Sequence, residues 1–319
     1  MTYTLPSTDS QLLCACGVSY AIGTNNPLTT APYYDGAAFL DTPEVIHGIL
    51  PQTAACIVGQ IAGYIVIAFR GTALTEVNDW STDLMAEPVK TKEFPGSVHS
   101  GFYLSVMEIM PKIMLSINKL VTANPGQPLL ITGHSKGAAM ASLAAWYLNT
   151  HLTSPPEIRV TAFAAPMTGD KVFARAYMGD LLNEKFYQKN YINYLDIVPF
   201  LPPSKDVANE LINYIDSLKN ALPAPFGSII TGILKSFSKW EYARVASKEE
   251  YILHPDKTQL NYRISDGSFN MPVFMDAIKD NLEEGNIQAI LAAHSHVCGG
   301  GYMSAVCPAI PVPLIESFS

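Results

Sequence analysis

The segment 129–149 constrains this chain more than any other. It runs Leu129-Leu130-Ile131-Thr132, then Gly133-His134-Ser135-Lys136-Gly137, then a run of small and apolar residues opening with Ala138, Ala139 and Ala141. A short apolar run bounded by glycine reads as a buried strand. The alanine-rich run that follows has high helix propensity. A strand that passes into a helix within five residues must bend sharply, and Gly133 and Gly137 allow the strained turn. The alanines let the helix sit close to the strand. The serine then stands at the apex, at the helix N-terminus, which is the geometry of a nucleophile elbow.

The rest of the chain repeats the alternation. Residues 8–21 follow a Ser7/Thr8 cap and carry Leu12, Leu13, Cys16 and Tyr20 at helical spacing. Residues 55–69 read as two buried strands with a turn near Gly59–Gly63. Residues 100–123 read as helix, kinked or restarted at Pro111. Apolar strands recur at Arg159–Ala164 and Tyr191–Leu195. Short apolar strands alternating with helices predict an α/β fold, a mostly parallel sheet with helices on both faces. Two apolar stripes interrupt the pattern. Val207, Leu211, Tyr214, Ile215, Leu218 and Leu222 form one, and Phe226 to Trp240 a second. They read as a helical insertion at 203–239, shaped like a cap, on one domain spanning 1–319.

Composition narrows the partners. The chain has 319 residues, of which 48% are hydrophobic and 15% charged, with a net charge of −8. So apolar a chain is not disordered. With no basic run it offers nothing to phosphates, so nucleic acid is excluded as a partner. No run reaches the ~18 apolar residues of a transmembrane segment. The N-terminus has no basic region before its short apolar run, so no signal peptide is expected in the chain as given. That makes it cytoplasmic by default, and secreted if this is a mature form. Cys14, Cys16, Cys56, Cys298 and Cys307 lack zinc spacing and read as buried thiols, with a Cys298–Cys307 bridge as the alternative. No metal or cofactor is expected. Low charge in an acidic chain predicts exposed apolar surface that binds something.

A serine nucleophile needs a base, and the base a third group to orient it. In an elbow fold these follow in the order serine, acid, histidine. Asp196 ends an apolar strand and fits the acid better than Asp170, which lies in a turn. Three histidines follow it. His254, before a proline, reads as a surface turn, which leaves His294 and His296.

These pieces resemble the class 3 lipase family, the filamentous-fungal type of triacylglycerol lipase within the α/β-hydrolases. The resemblance rests on Ala68 to Thr72, Asp79-Trp80 with Asp83-Leu84, Val98-His99 with Gly101-Phe102, and the elbow. Further on it rests on Phe163 with Pro166 and Gly169, Asp196 to Pro203, and Glu249 to Leu253. It implies Ser135 as nucleophile and Asp196 as acid. It implies an oxyanion hole from Thr72 and the backbone N–H of Lys136. It implies a lid at 73–81, with Leu74, Val77 and Trp80 meeting substrate. The family places an aromatic three to five residues after its histidine. Tyr302 here is eight after His294 and six after His296, and the reading favours His296 as base with His294 as the alternative. The implied activity is that of a serine carboxylic-ester hydrolase, foremost a triacylglycerol lipase at an oil–water or membrane interface. A phospholipase A1, a feruloyl-type esterase and a non-catalytic lipid-binding protein of the same fold are the alternatives.

Overall fold

The computed structural model describes residues 7–50, 53–72, 86–181, 186–202, 240–245, 249–255, 262–266, 292–296 and 301–305, with scattered positions between 209 and 289. The proposed lid at 73–81, with Leu74, Val77 and Trp80, lies outside the described residues. So do most of the 203–239 insertion and both Cys298 and Cys307.

In chain order the elements are α1 (Ser7–Ser19), α2 (Tyr34–Ala37), β1 (Glu44–His47), β2 (Ala55–Ile61), β3 (Tyr64–Phe69), β4 (Pro88–Lys90) and β5 (Ser97–His99). Then come α3 (Ser100–Ala123), β6 (Leu129–His134), α4 (Lys136–His151), β7 (Ile158–Phe163), β8 (Gly169–Asp170) and α5 (Lys171–Leu181). β9 (Phe186–Asn193), β10 (Tyr242–Ala243), β11 (Glu249–Pro255) and β12 (Tyr262–Asp266) complete the set. The main sheet has the order β1-β2-β3-β6-β7-β9-β11-β12. β3, β6, β7, β9 and β11 run parallel, while β1, β2 and β12 are antiparallel additions at the two edges. A small antiparallel sheet, β10-β8-β5-β4, lies apart. This is the α/β-hydrolase architecture.

Strand alternation supplies two cores. In β3, Ile65, Ile67 and Phe69 pack with α3, α4 and α5, while Val66 and Ala68 pack with α1. The same division runs along β6, with Leu129 and Ile131 on one side and Leu130 on the other. Fully burying an aliphatic side chain contributes roughly 1.5–3 kcal/mol, so a sheet packed on both faces can carry local strain at its edge.

Four details depart from the sequence reading. The 55–69 turn falls at Ala62-Gly63, where Gly63 has φ +83°; Gly59 stays inside β2, because Phe39 and Pro43 pack where its side chain would be. α3 runs as one 24-residue helix with Pro111 inside it, so the helix does not restart at the proline. β9 ends at Asn193, so Asp196 sits in the turn after the strand. His254 is not in a surface turn; it lies within β11, paired with Arg263 of β12.

Candidate active site

Ser135 joins β6 to α4 with φ 58° and ψ −130°. That conformation costs a non-glycine residue on the order of 1–3 kcal/mol. Its N–H donates to the Phe163 carbonyl at 2.9 Å, and its carbonyl accepts from the Ala138 N–H at 2.8 Å. The two elbow glycines are needed for close approach. A Cβ on Gly133 would lie 2.2 Å from the Gly137 carbonyl, and one on Gly137 would lie 2.4 Å from the Phe69 carbonyl oxygen. Their absence lets the first turn of α4 press against the ends of β6 and β3. Thr72 stands three residues beyond β3, Lys136 is the first residue of α4, and both are buried.

The structure brings Ser135 and Asp196 together through His294. His294 Nε2 lies 2.8 Å from Ser135 Oγ, and its Nδ1 lies 3.0 and 3.1 Å from the two carboxylate oxygens of Asp196. A carboxylate accepts, so Nδ1 carries the proton and Nε2 is left to accept from the serine hydroxyl. Asp196 is fully buried. Its desolvation is offset by donors: besides His294, the Val198 N–H reaches Oδ1 at 2.9 Å and the Tyr302 hydroxyl reaches Oδ2 at 2.8 Å. Tyr302 also accepts from the Asn193 N–H at 2.8 Å.

The preference for His296 is thereby overturned. Its ring instead stacks on Tyr20, with centroids 3.9 Å apart and planes within 4°. The spacing argument misled because Tyr302 meets its partner despite the longer interval. The Tyr302 N–H donates to the Ser295 carbonyl at 2.8 Å, so the chain returns to the histidine before the tyrosine is used. Asp170 is structural: its carboxylate accepts from the N–H groups of Ser97, Val172 and Phe173 and so caps the start of α5.

A cluster that the sequence reading did not assemble lies behind the triad. His134, in the elbow itself, is buried, with Nδ1 2.8 Å from the Tyr20 hydroxyl. Its ring centroid is 5.1 Å from that of His294 and 5.8 Å from that of His296. Burial pushes the His134 pKa well below the usual range, and His294 and His296 push it further. Burial, then His294 and Arg70, take His296 down to about 4. The only sequence signal for this cluster was Tyr20 on the apolar face of the first helix. Nothing in its spacing linked it to residue 134.

Among the described residues no group of three or more His, Cys, Asp or Glu side chains is placed to hold a metal, and no helix is long and apolar enough to cross a membrane. Cys14, Cys16 and Cys56 are buried free thiols.

Serine, imidazole and carboxylate thus stand in line at the carboxyl edge of the parallel strands. The family model described as lipase (class 3) matches residues 66–206, which hold the elbow and Asp196. Over those residues the chain is similar to the class 3 lipase family. The lipase of Rhizomucor miehei is 29% identical over 143 residues, 44% of this chain and 38% of that protein. The secreted mono- and diacylglycerol lipase A of Penicillium cyclopium is 30% identical over 139 residues, 43% of each chain. The match thus spans less than half the length of either relative. In three dimensions the chain resembles the mono- and diacylglycerol lipase of Aspergillus oryzae, with TM-score 0.59 and 20% identity over 95% of this chain and 99% of that one. That likeness shows the fold.

Proposed function

We propose that this chain is a serine ester hydrolase acting on acylglycerols, with triacylglycerol as its foremost substrate. The observation that carries the reading is the bridging imidazole, 2.8 Å from Ser135 Oγ on one side and 3.0 Å from Asp196 on the other. His294 takes the hydroxyl proton as Ser135 Oγ attacks the ester carbonyl. The negative charge on the tetrahedral oxygen is met by the backbone N–H of Lys136 and by Thr72, through its N–H and hydroxyl. Loss of one such donor costs about 10²–10³ in kcat by precedent. The imidazolium, steadied by Asp196, returns the proton to the leaving alcohol. Water then attacks the acyl-enzyme by the same route in reverse.

The apolar and polar mixture at 73–81, with Leu74, Val77 and Trp80, supports a lid over an acyl chain, and the stripes at 203–239 support a cap facing oil or membrane. The word "secreted" in the Penicillium relative's name supports export of this chain too.

Ser135→Ala is expected to abolish hydrolysis of nitrophenyl esters and to stop labelling by an organophosphonate. Labelling of that variant at the wild-type rate refutes the reading. Rates across esters of two to sixteen carbons, below and above their solubility limit, identify the substrate. A jump at the limit supports a lipase, no jump a feruloyl-type esterase, and preference for phosphatidylcholine a phospholipase A1. Binding of liposomes with no hydrolysis means a lipid-binding protein.

A further inference from the structure

Tyr20 is the first residue beyond α1, and its hydroxyl reaches the catalytic edge of the sheet. There it lies 2.8 Å from His134 Nδ1. It is also seated directly on Gly71: a Cβ at that glycine would come within 2.2 Å of the hydroxyl oxygen and 2.5 Å of the His134 carbonyl oxygen. Gly71 immediately precedes Thr72, and His134 immediately precedes Ser135. One hydroxyl therefore touches both strand ends, that of β3, which leads to the oxyanion donor, and that of β6, which leads to the nucleophile.

The ring is held on its faces. His296 stacks on it at 3.9 Å, and the Arg70 guanidinium lies 5.9 Å from its centroid. Both neighbours come from segments that bear on the site, Arg70 from the end of β3 and His296 from two residues past the base. The burial of His134 favours its neutral imidazole, and a hydroxyl can either donate to or accept from Nδ1, so the bond holds in both tautomers.

We propose that Tyr20 is a positioning residue, whose hydroxyl, bonded to His134 and seated on Gly71, sets the separation of the Thr72 donor from Ser135, with His296 holding its ring in place. An oxyanion hole works only when its donors are aimed at where the charge develops, and a displacement of about 1 Å can cost 10²-fold in rate. β3 and β6 pair as far as Phe69 and Gly133; beyond them the Arg70 N–H donates to the Ala55 carbonyl at 3.0 Å and the Ser135 N–H to the Phe163 carbonyl at 2.9 Å, each toward a different outer strand. Tyr20 supplies the tie just where the ladder stops.

This inference rests on the ester-hydrolase reading, so its test begins with the wild-type chain and a soluble nitrophenyl ester. Absence of hydrolysis there refutes the activity itself, before any variant is made, and removes this inference with it. Given hydrolysis, Tyr20→Phe keeps the ring and the stack but loses the hydroxyl. It is expected to lower kcat about tenfold, leave KM within twofold, and slow phosphonate inactivation to the same degree, all measured well below its own melting temperature. His134→Gln is expected to lower kcat similarly, and the double variant to be no slower than the slower single one, because both remove the same bond. His296→Ala is expected to lower kcat about threefold, and His296→Phe, which restores a stacking ring, to recover most of that loss. A Tyr20→Phe enzyme with kcat within twofold of wild type overturns the proposal. So does a rise in KM with kcat unchanged, or losses in the double variant that multiply as independent effects do.

Discussion

His294 and His296 are residues of one type, two positions apart, yet their surroundings give them opposite assignments. His294 has a carboxylate on one nitrogen and a serine hydroxyl on the other; His296 has the face of a tyrosine. His294→Ala should therefore cost at least 10³-fold in kcat, as removal of any triad member does. The few-fold loss expected of His296→Ala makes the contrast measurable in one assay. Tyr302→Phe removes a donor from Asp196 and an acceptor from the Asn193 N–H. It should lower kcat roughly tenfold and stability by about 1–3 kcal/mol, read by urea denaturation. The elbow and Asp196 were legible in the sequence because each is fixed by a few adjacent residues at a strand end. The base was not, since the deciding contact joins positions 159 apart and the spacing rule assumed a shorter return to the tyrosine. Tyr20 was illegible for the same reason: its partner is 114 residues away.

Among the elements, α1 is the one whose attachment matters most beyond itself. It lies across β3, β6 and β7 on the face opposite α4, and buries Leu12, Leu13, Cys16 and Val18 there. Its start is fastened by Asp9, which accepts from the Lys189 ammonium at 2.9 Å and the Tyr191 hydroxyl at 2.5 Å, both on β9. Its far end leads into Tyr20. Asp9→Ala leaves a buried tyrosine and a nearly buried lysine without that acceptor, a loss of about 2–3 kcal/mol. A lower urea midpoint with an unchanged m-value would register it. α4 makes the opposite demand, for closeness. Gly137→Ala drives a methyl group into the Phe69 carbonyl, which is main chain and cannot step aside. Ester hydrolysis should fall by at least 10²-fold in a protein that still melts cooperatively. Strands, their parallel sense and both covering helices were readable from apolar runs and alanine content. Lengths at the margins were not, because pairing with a neighbour, as at Gly59 and His254, decides where a strand stops.

For the whole molecule, acid is the revealing variable. His134 and His296 are held below the ordinary histidine range in the folded state, His296 at about 4. The unfolded chain binds protons at these positions more readily than the folded one. Their contribution to stability is therefore complete above a pH of about 6.5, the unfolded value, and is lost as pH falls toward 4. Each group adds a slope of up to roughly 1.4 kcal/mol per pH unit across that window. The melting temperature of wild type should fall more steeply between pH 6.5 and 4 than that of His296→Phe. Parallel curves would mean that His296 does not titrate in this window.

The order of the machinery along the chain has a consequence for synthesis. The strained serine turn is made early and waits through 159 residues for its base, and the tyrosine that braces the acid emerges later still. A nascent chain thus carries Ser135 through about half of its synthesis before His294 is made. The proposed hydrolysis therefore has to wait until the strands on the far side of β7 have been laid down and His294 can reach Ser135.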